Sequence, residues 1–568
     1  MRTVPKWDFI ELTFTSDRTF SNPFLDVSLS ADFTLGPHRL NADGFYDGME
    51  DGRHVWRIRF APAYEGEWSY TTFSDLDQLD GIQGVFACVA PVSRGGLTLS
   101  PHFSNWFMRQ DGTYQFIVND GWYPHPGGVN SQFPHEDYEF QQPSESDMKL
   151  YMKTLSDHRV NLIIDIAQLY SRQETITDPS FRWPWKVVDA QHNKINKDFF
   201  NLDYYRRLDR TMQYATELDL FFAMEMLYDN SVITQLGWQN HPVNVENGGW
   251  LEGNEHGTGW HVMFDLSNAE HVKYISRYVK YTVARFSAYR NILWSIGSEN
   301  GNLIRLKNDR LKHAYSEPEI PAEWYNYWGD FIARHDPHGR LRSFGDVNRQ
   351  PLMVTSPHNN FIIGQDPRSD MRDLFNYPRG DLIACYQAMN EFGEFYWYYG
   401  RPLVIGEMTS SNVGNYDSER RMYWLALASG FAMGRADRHF GTVIDGRFVE
   451  GPKFGYEDVP PIYTYMRILG EFIESRGVRF WRMRPNDGLL QGAAHKLIYC
   501  LAAKDEEYIV YFLFGGRVSL NLPDCDYEWI NPRTGESESA GTVEKGLVVF
   551  QAPDKEDWVL HITAKSRV

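Results

Sequence analysis

Cysteine is scarce in this sequence. Cys88, Cys385, Cys500 and Cys525 lie far apart in 568 residues and form no Cys-x-x-Cys pair, so neither a zinc ribbon nor a dithiol redox motif can be read. Cys500 and Cys525 could pair within one C-terminal unit, but free buried thiols are the expectation. Positive charge is also short: 56 Lys and Arg stand against 75 Asp and Glu, a net charge of −19. Such a chain repels phosphate backbones and anionic lipid, so neither nucleic acid nor membrane is an expected partner. No apolar run reaches 18 residues and "MRTVPKWDFIEL" holds no apolar leader core, so the chain is expected in the cytoplasm. His241, His256 and His261 share one loop region, without a His-Glu-x-x-His helix or a carboxylate cluster at ligand spacing, and make no metal site. No P-loop, dinucleotide fingerprint, internal repeat or low-complexity tract is present, and no cofactor is expected.

What the chain has in excess is aromatic residues, 15% of the total. They can fill cores or offer flat faces to sugar rings, so the excess alone decides nothing. Its length calls for several domains. Residues 1–92 read as an Ig-like β-sandwich: "WDFIELTFTS", "HVWRIRFAP" and "GEWSYTTFS" alternate apolar and polar residues between turn formers. "PVSRGG" (91–96) reads as a linker. From 93 to 475 the rhythm becomes strand then helix. "TYQFIVND", "RVNLIIDI", "LDLFFAMEM", "NILWSI", "LRSFGD", "NFIIGQD", "PLVIGEM" and "GFAMGRAD" are short runs of the kind buried on both faces of a parallel sheet. Between two of them, Ser267 and Glu270 predict a capping box for a helix carrying Val272, Ile275, Val279, Val283 and Phe286 on one stripe. Eight such strands predict an α/β fold, a (β/α)8 TIM barrel. Residues 476–568 return to alternation and predict a second antiparallel β-sandwich. The weak unit is the fifth, where too few residues separate "LRSFGD" from "NFIIGQD" for a full helix and its loops.

Two of the eight strands end alike. "NILWSIGSEN" delivers Glu299 after Gly297 and Ser298, and "RPLVIGEMTS" delivers Glu407 after Gly406, 108 residues on. In a barrel these are the ends of strands four and seven, on the face that carries active sites. Two carboxyl groups there suit hydrolysis of a glycosidic bond: one protonates the leaving oxygen, and the other attacks the anomeric carbon or activates a water. Proximity also separates their ionisation, keeping one protonated while the other is charged.

"WSIGSE" (294–299) resembles the strand-four motif of the clan A glycoside hydrolases, and "PLVIGE" (402–407) is similar to their strand-seven segment. The layout resembles the apiosidase-like branch of that clan, through "NADGFYDG", "RIRFAPAYEGEWSY", "DGTYQFIVNDGWY" and "INPRTGE". The resemblance implies that Glu299 is the general acid/base and Glu407 the nucleophile of a retaining double displacement, about 5 to 5.5 Å apart. Ser298 stands where the clan has Asn, so the contact of that Asn to the sugar hydroxyl beside the anomeric carbon is not carried over. Gln365 occupies the strand-six position where the clan often has Tyr, and can hydrogen-bond a carboxylate or a hydroxyl.

Around this pair, Asp120 and Trp122 follow strand one, where they would bind sugar hydroxyls and form a stacking floor. Asp165 and Gln168 would do the same after strand two, and His439 would reach the site after strand eight. Glu225 is a third carboxylate near the barrel top, suited to an ion pair or a substrate hydrogen bond. "RWPW" (182–185) with Trp238, Trp250 and Trp260 would wall the cleft, and "EFYWYYG" (394–400) reads as a helix packed on the barrel. The expected protein is a retaining glycoside hydrolase acting on an oligosaccharide or glycoside. Its sandwiches would shape the cleft or mediate contacts in a homo-oligomer. Alternative readings are a transglycosylase or inverting hydrolase on the same barrel, and a non-catalytic carbohydrate-binding protein.

Overall fold

The computed structural model describes residues 1–121, 144–164, 183–227, 232, 235–259, 261–297, 322–343, 362–364, 386, 387, 390, 393, 397, 400–405, 416–434, 442–444, 447–450, 453–456, 459, 461–492 and 497–565. The N-terminal segments form a five-stranded sheet, ordered Arg2–Pro5, Gln83–Val89, Gly66–Ser74, Leu29–Leu35 and His38–Asp43. A second sheet has three strands, Ile10–Ser16, Arg53–Phe60 and Phe45–Glu50. Inward residues of both, among them Phe33, Trp56, Ile58, Phe60, Trp68 and Phe86, share one hydrophobic cluster. At the other end, a six-stranded and a two-stranded sheet enclose a cluster with Cys500, Val510, Phe512, Leu520, Trp529, Phe550 and Leu560. Cys88, Cys500 and Cys525 are free and buried.

Between them lie eight short parallel strands, one in each predicted run: β1 (Asn119–Gly121), β2 (Leu162–Ile164), β3 (Phe221–Glu225), β4 (Ile292–Ser295), β5 (Arg342–Ser343), β6 (Ile362–Gly364), β7 (Leu403–Ile405) and β8 (Ala432–Met433). β1 to β5 pair in sequence order as one sheet, and β6 to β8 as another. Helices alternate with them: α1 (Glu145–Asp157), α2 (Leu202–Glu217), α3 (Ala269–Phe286), α4 (Ala322–His335), α5 (Tyr416–Ala428) and α6 (Pro461–Ser475). Successive side chains of a strand point to opposite faces. One face supplies Ile163, Phe222, Met224, Ile292, Trp294, Leu403 and Ile405 to the large cluster that also contains the helices' buried faces. The other supplies Leu162, Ile164, Phe221, Ala223, Leu293, Val404 and Ala432 to a separate inner cluster shared by both sheets.

Three local expectations are corrected. The cap of α3 is Asn268, whose Oδ1 accepts from His271 N at 3.0 Å, while the Ser267 hydroxyl donates to Asp265 Oδ1 at 2.6 Å. The first run is not one strand. Tyr114–Gln115 pairs with Phe107–Arg109 in a small antiparallel sheet with Leu97–Leu99, and β1 starts only at Asn119. Leu97, Phe107 and Ile117 enter the inner cluster, so this piece plugs the core. The end of the "PVSRGG" segment is packed: Gly95 and Gly96 are buried, and a Cβ on Gly96 would lie 2.3 Å from the Arg290 carbonyl oxygen, whereas Pro91, Val92 and Arg94 are exposed.

A buried charge cluster docks the N-terminal sheets on α2 and α3. Arg59 donates to Asp209 Oδ1 at 2.6 Å and to the Arg285 carbonyl at 2.7 Å. Arg285 donates to Asp209 Oδ2 at 2.7 Å and to Asp47 Oδ1 at 2.9 Å. Burial alone would raise the Asp209 carboxyl, but the charges of Arg285 and Arg59 outweigh it and hold the group below the usual carboxylate range. Removing one partner of such a group strands the others, at a cost of about 3–5 kcal/mol. Asp209→Ala is therefore expected to lower the first urea transition of the chain by about that much, whereas Asp209→Asn, which keeps the shape and half the acceptors, should lose less.

Candidate active site

The inner face of the parallel strands changes character along its length. Its N-terminal part is apolar, from Leu97 and Phe107 through Phe221, Ala223 and Leu293. At the C-terminal ends the residues in the same phase are polar. Asn119 shares the phase of Ile117, Glu225 that of Phe221 and Ala223, Ser295 that of Leu293, and Ser343 that of Leu341. All four are buried. Glu225 and Ser295 are paired in register on β3 and β4, which puts a carboxylate beside the strand that leads to Glu299. A packed core does not need such a layer, whereas a site at the strand ends does.

The strand that leads to Glu407 ends in an unusual contact. The Ile405 carbonyl accepts from Asn119 Nδ2 at 3.1 Å and from Gly434 N at 3.3 Å. Gly434, at the end of β8, lies so close to β1 that a Cβ there would be 1.6 Å from the Asn119 carbonyl oxygen. Only glycine fits.

Of the residues singled out from the sequence, Glu299, Glu407, Trp122, Asp165, Gln168, Gln365 and His439 lie outside the described residues. So do Ser298 and Trp260. Asp120 is described. It is out of phase with Asn119, it is buried, and its Oδ2 accepts from Tyr151 of α1 at 3.2 Å and Tyr463 of α6 at 2.7 Å. Its carboxylate thus ties β1 to both helices in the layer between them. The tryptophan wall is corrected: Trp183, Trp185, Trp238 and Trp250 are all buried. Trp185 meets Trp250 edge-on at 5.3 Å and Trp250 stacks on Tyr274 at 4.7 Å, so these two tryptophans pack against other rings. Asn119, Ser295 and Ser343 were missed. The signal was available, since counting in twos from the apolar residues of each strand reaches them.

His271 secures the long segment between β3 and α3. Its Nδ1 accepts from Trp250 Nε1 at 3.0 Å and its Nε2 donates to the Met263 carbonyl at 2.9 Å, an arrangement open only to the neutral ring. Burial lowers its pKa from 6.5 to about 4, against the opposing pull of the Met263 carbonyl. The unfolded chain therefore binds the extra proton more readily between those values, and stability falls with pH through that window. The contribution is complete above about pH 6.5, is lost by about pH 4, and amounts to about 3 kcal/mol at most. Urea midpoints at pH 7 and pH 4.5 should differ more for the wild type than for His271→Gln; equal differences would show that His271 does not titrate in this window.

Similarities to known proteins fit this geometry. Residues 3–75 match the domain of unknown function DUF5060, and residues 485–563 match a family described as "Putative collagen-binding domain of a collagenase". No curated protein matches the chain. A Bacteroides vulgatus structure described as "a putative glycoside hydrolase" superposes with a TM-score of 0.65 at 15% identity, covering 99% of this chain and 100% of that one. A glycoside hydrolase family 5 structure from the same organism gives 0.55 at 14% identity, covering 84% and 94%. A further structure described as "Glycoside hydrolase" gives 0.55 at 14%, covering 84% and 98%. The chain shares the fold of these proteins.

Proposed function

We propose that the chain is a retaining glycoside hydrolase whose eight parallel strands close into a (β/α)8 barrel between two β-sandwich units (1–92 and 476–568). Glu299 is its general acid/base and Glu407 its nucleophile. The observation that carries this reading is the polar layer at the C-terminal end of the inner face. β4 and β7 both run towards that end, and Glu299 and Glu407 follow them by four and two residues. The shared fold supports it. Glu299 keeps the inward phase of Leu293 and Ser295 if the strand continues extended. Glu407 would inherit the outward phase of Leu403 and Ile405, so the reading requires the phase to change at Gly406, which a glycine bulge achieves. The substrate is a glycoside or oligosaccharide. An acidic chain whose described inner layer offers an amide, a carboxylate and two hydroxyls suits a neutral sugar.

The reading is tested by turnover of aryl pyranosides and furanosides. Glu299→Ala and Glu407→Ala are each expected to lose several orders of magnitude, about 10³-fold or more. Azide should restore Glu407→Ala and give a glycosyl azide of inverted anomeric configuration, while the wild-type product retains configuration. Inversion by the wild type would replace the nucleophile with a base, and variants as active as wild type would remove the pair altogether.

A further inference from the structure

We propose that Asn119 is a positioning residue for the nucleophile, acting through the end of β7; this rests on the assignment of Glu407 above. Asn119 is wholly buried on β1, and its side chain crosses to β7 to donate to the Ile405 carbonyl, two residues before Glu407. The strand between them, β8, would normally fill that space. It does not, because Gly434 has no side chain: a Cβ at 434 would lie 2.4 Å from the Asn119 Cγ as well as 1.6 Å from its carbonyl oxygen. Gly434 adds its own N–H to the same Ile405 oxygen. One carbonyl thus takes two donors from two other strands at the last described residue before the phase change that Glu407 needs. A misplacement of about 1 Å at a reacting group can cost on the order of 10²-fold in rate, so an anchor at this carbonyl has leverage on chemistry while touching no substrate. Among the described residues Asn119 Oδ1 has no hydrogen-bond partner, and the amide is held there by its donor side.

The test uses the full-length protein and a 2,4-dinitrophenyl glycoside of whichever sugar it cleaves, beside the phenyl glycoside of the same sugar. The dinitrophenyl leaving group departs without help from an acid, so its first-turnover release reports on the nucleophile. Asn119→Asp keeps the shape but sets an oxygen against the Ile405 carbonyl, and Asn119→Ala removes the donor. Both are expected to slow first-turnover dinitrophenolate release about 10- to 100-fold, with saturation at an unchanged substrate concentration; the urea midpoint of Asn119→Asp should fall, because it sets a buried carboxylate against a carbonyl, while its circular dichroism in the absence of urea stays that of the folded wild type. Release within twofold of wild type for a folded Asn119→Asp overturns the proposal. So does a loss confined to the phenyl glycoside, which would put the defect on proton donation. If Glu407→Ala is inactive while Asn119→Asp is unimpaired, only this inference falls. If Glu407→Ala is itself fully active, the nucleophile assignment has failed and takes this inference with it.

Discussion

The alternation of side chains along a parallel strand buried on both faces is the constraint on which the central part of this molecule turns. Asn119 and Asp120 are neighbours in sequence, both polar and both buried, yet they do opposite work. Asn119 belongs to the inner face and reaches across to β7. Asp120 belongs to the outer face and is held by tyrosine hydroxyls from α1 and α6. A one-residue slip would exchange them, leaving a carboxylate against the Ile405 carbonyl and an amide between two phenols. Neither exchange satisfies its groups as well, since a carboxylate has no hydrogen to give a carbonyl. The polar pair therefore reinforces the register that the apolar residues on either side already favour.

The outer units are attached by a second recurring device. The N-terminal sheets dock through Arg59 and Arg285 on Asp209 and Asp47. The C-terminal sheets dock through Arg420 of α5, which donates to both oxygens of Asp557 at 2.8 and 3.1 Å. Arg533 and Tyr511 complete the second cluster, with Arg533 donating to the Asp557 carbonyl at 2.6 Å. In a chain of net charge −19, arginine is spent where a planar fork can meet two acceptors at once away from water. Such pairs return little net stability over a well-packed apolar contact. What they add is orientation, because a guanidinium meets its carboxylates in few geometries, whereas an apolar face slides.

Much of this was legible in the sequence. All eight apolar runs hold a parallel strand, because residues buried on two faces leave a periodicity-free stretch that little else imitates. Of the helical stripe, Ile275, Val279, Val283 and Phe286 are fully buried and Val272 is half-buried; its cap was misplaced by one residue, because Asn268 takes the His271 N–H while Ser267 turns to Asp265. What was not legible followed from packing. Nothing local distinguishes a tryptophan that lines a cleft from one buried against other rings, as Trp185 and Trp250 are. The tyrosine partners of Asp120 could not be read either, because they lie 31 and 343 residues away. Counting in twos from Ile117 does place Asn119 on the inner face, but its tie to β7 was not legible, since it depends on a carbonyl 286 residues away and a glycine more than 300 residues on.

The two sheets also explain why so small a contact as that of Asn119 matters. A retaining mechanism asks two carboxyl groups to stand about 5 to 5.5 Å apart, and an inverting one asks for about 6.5 to 9.5 Å. In the sequence Glu299 follows β4 by four residues and Glu407 follows β7 by two, and β4 and β7 belong to different sheets. Among the described residues no backbone ladder joins those sheets, so their spacing rests on what bridges them. The inner apolar cluster is one bridge, but apolar packing tolerates shifts of a few tenths of an ångström in any direction. Asn119 on β1 is a directional one: its amide links the first sheet to the last described carbonyl of β7, and Gly434 seats β8 against both. A hydrogen bond loses strength steeply with distance and angle. On the reading proposed above, the carboxyl separation that decides the stereochemical outcome would rest on the seam between the sheets, where Asn119 and Gly434 meet β7.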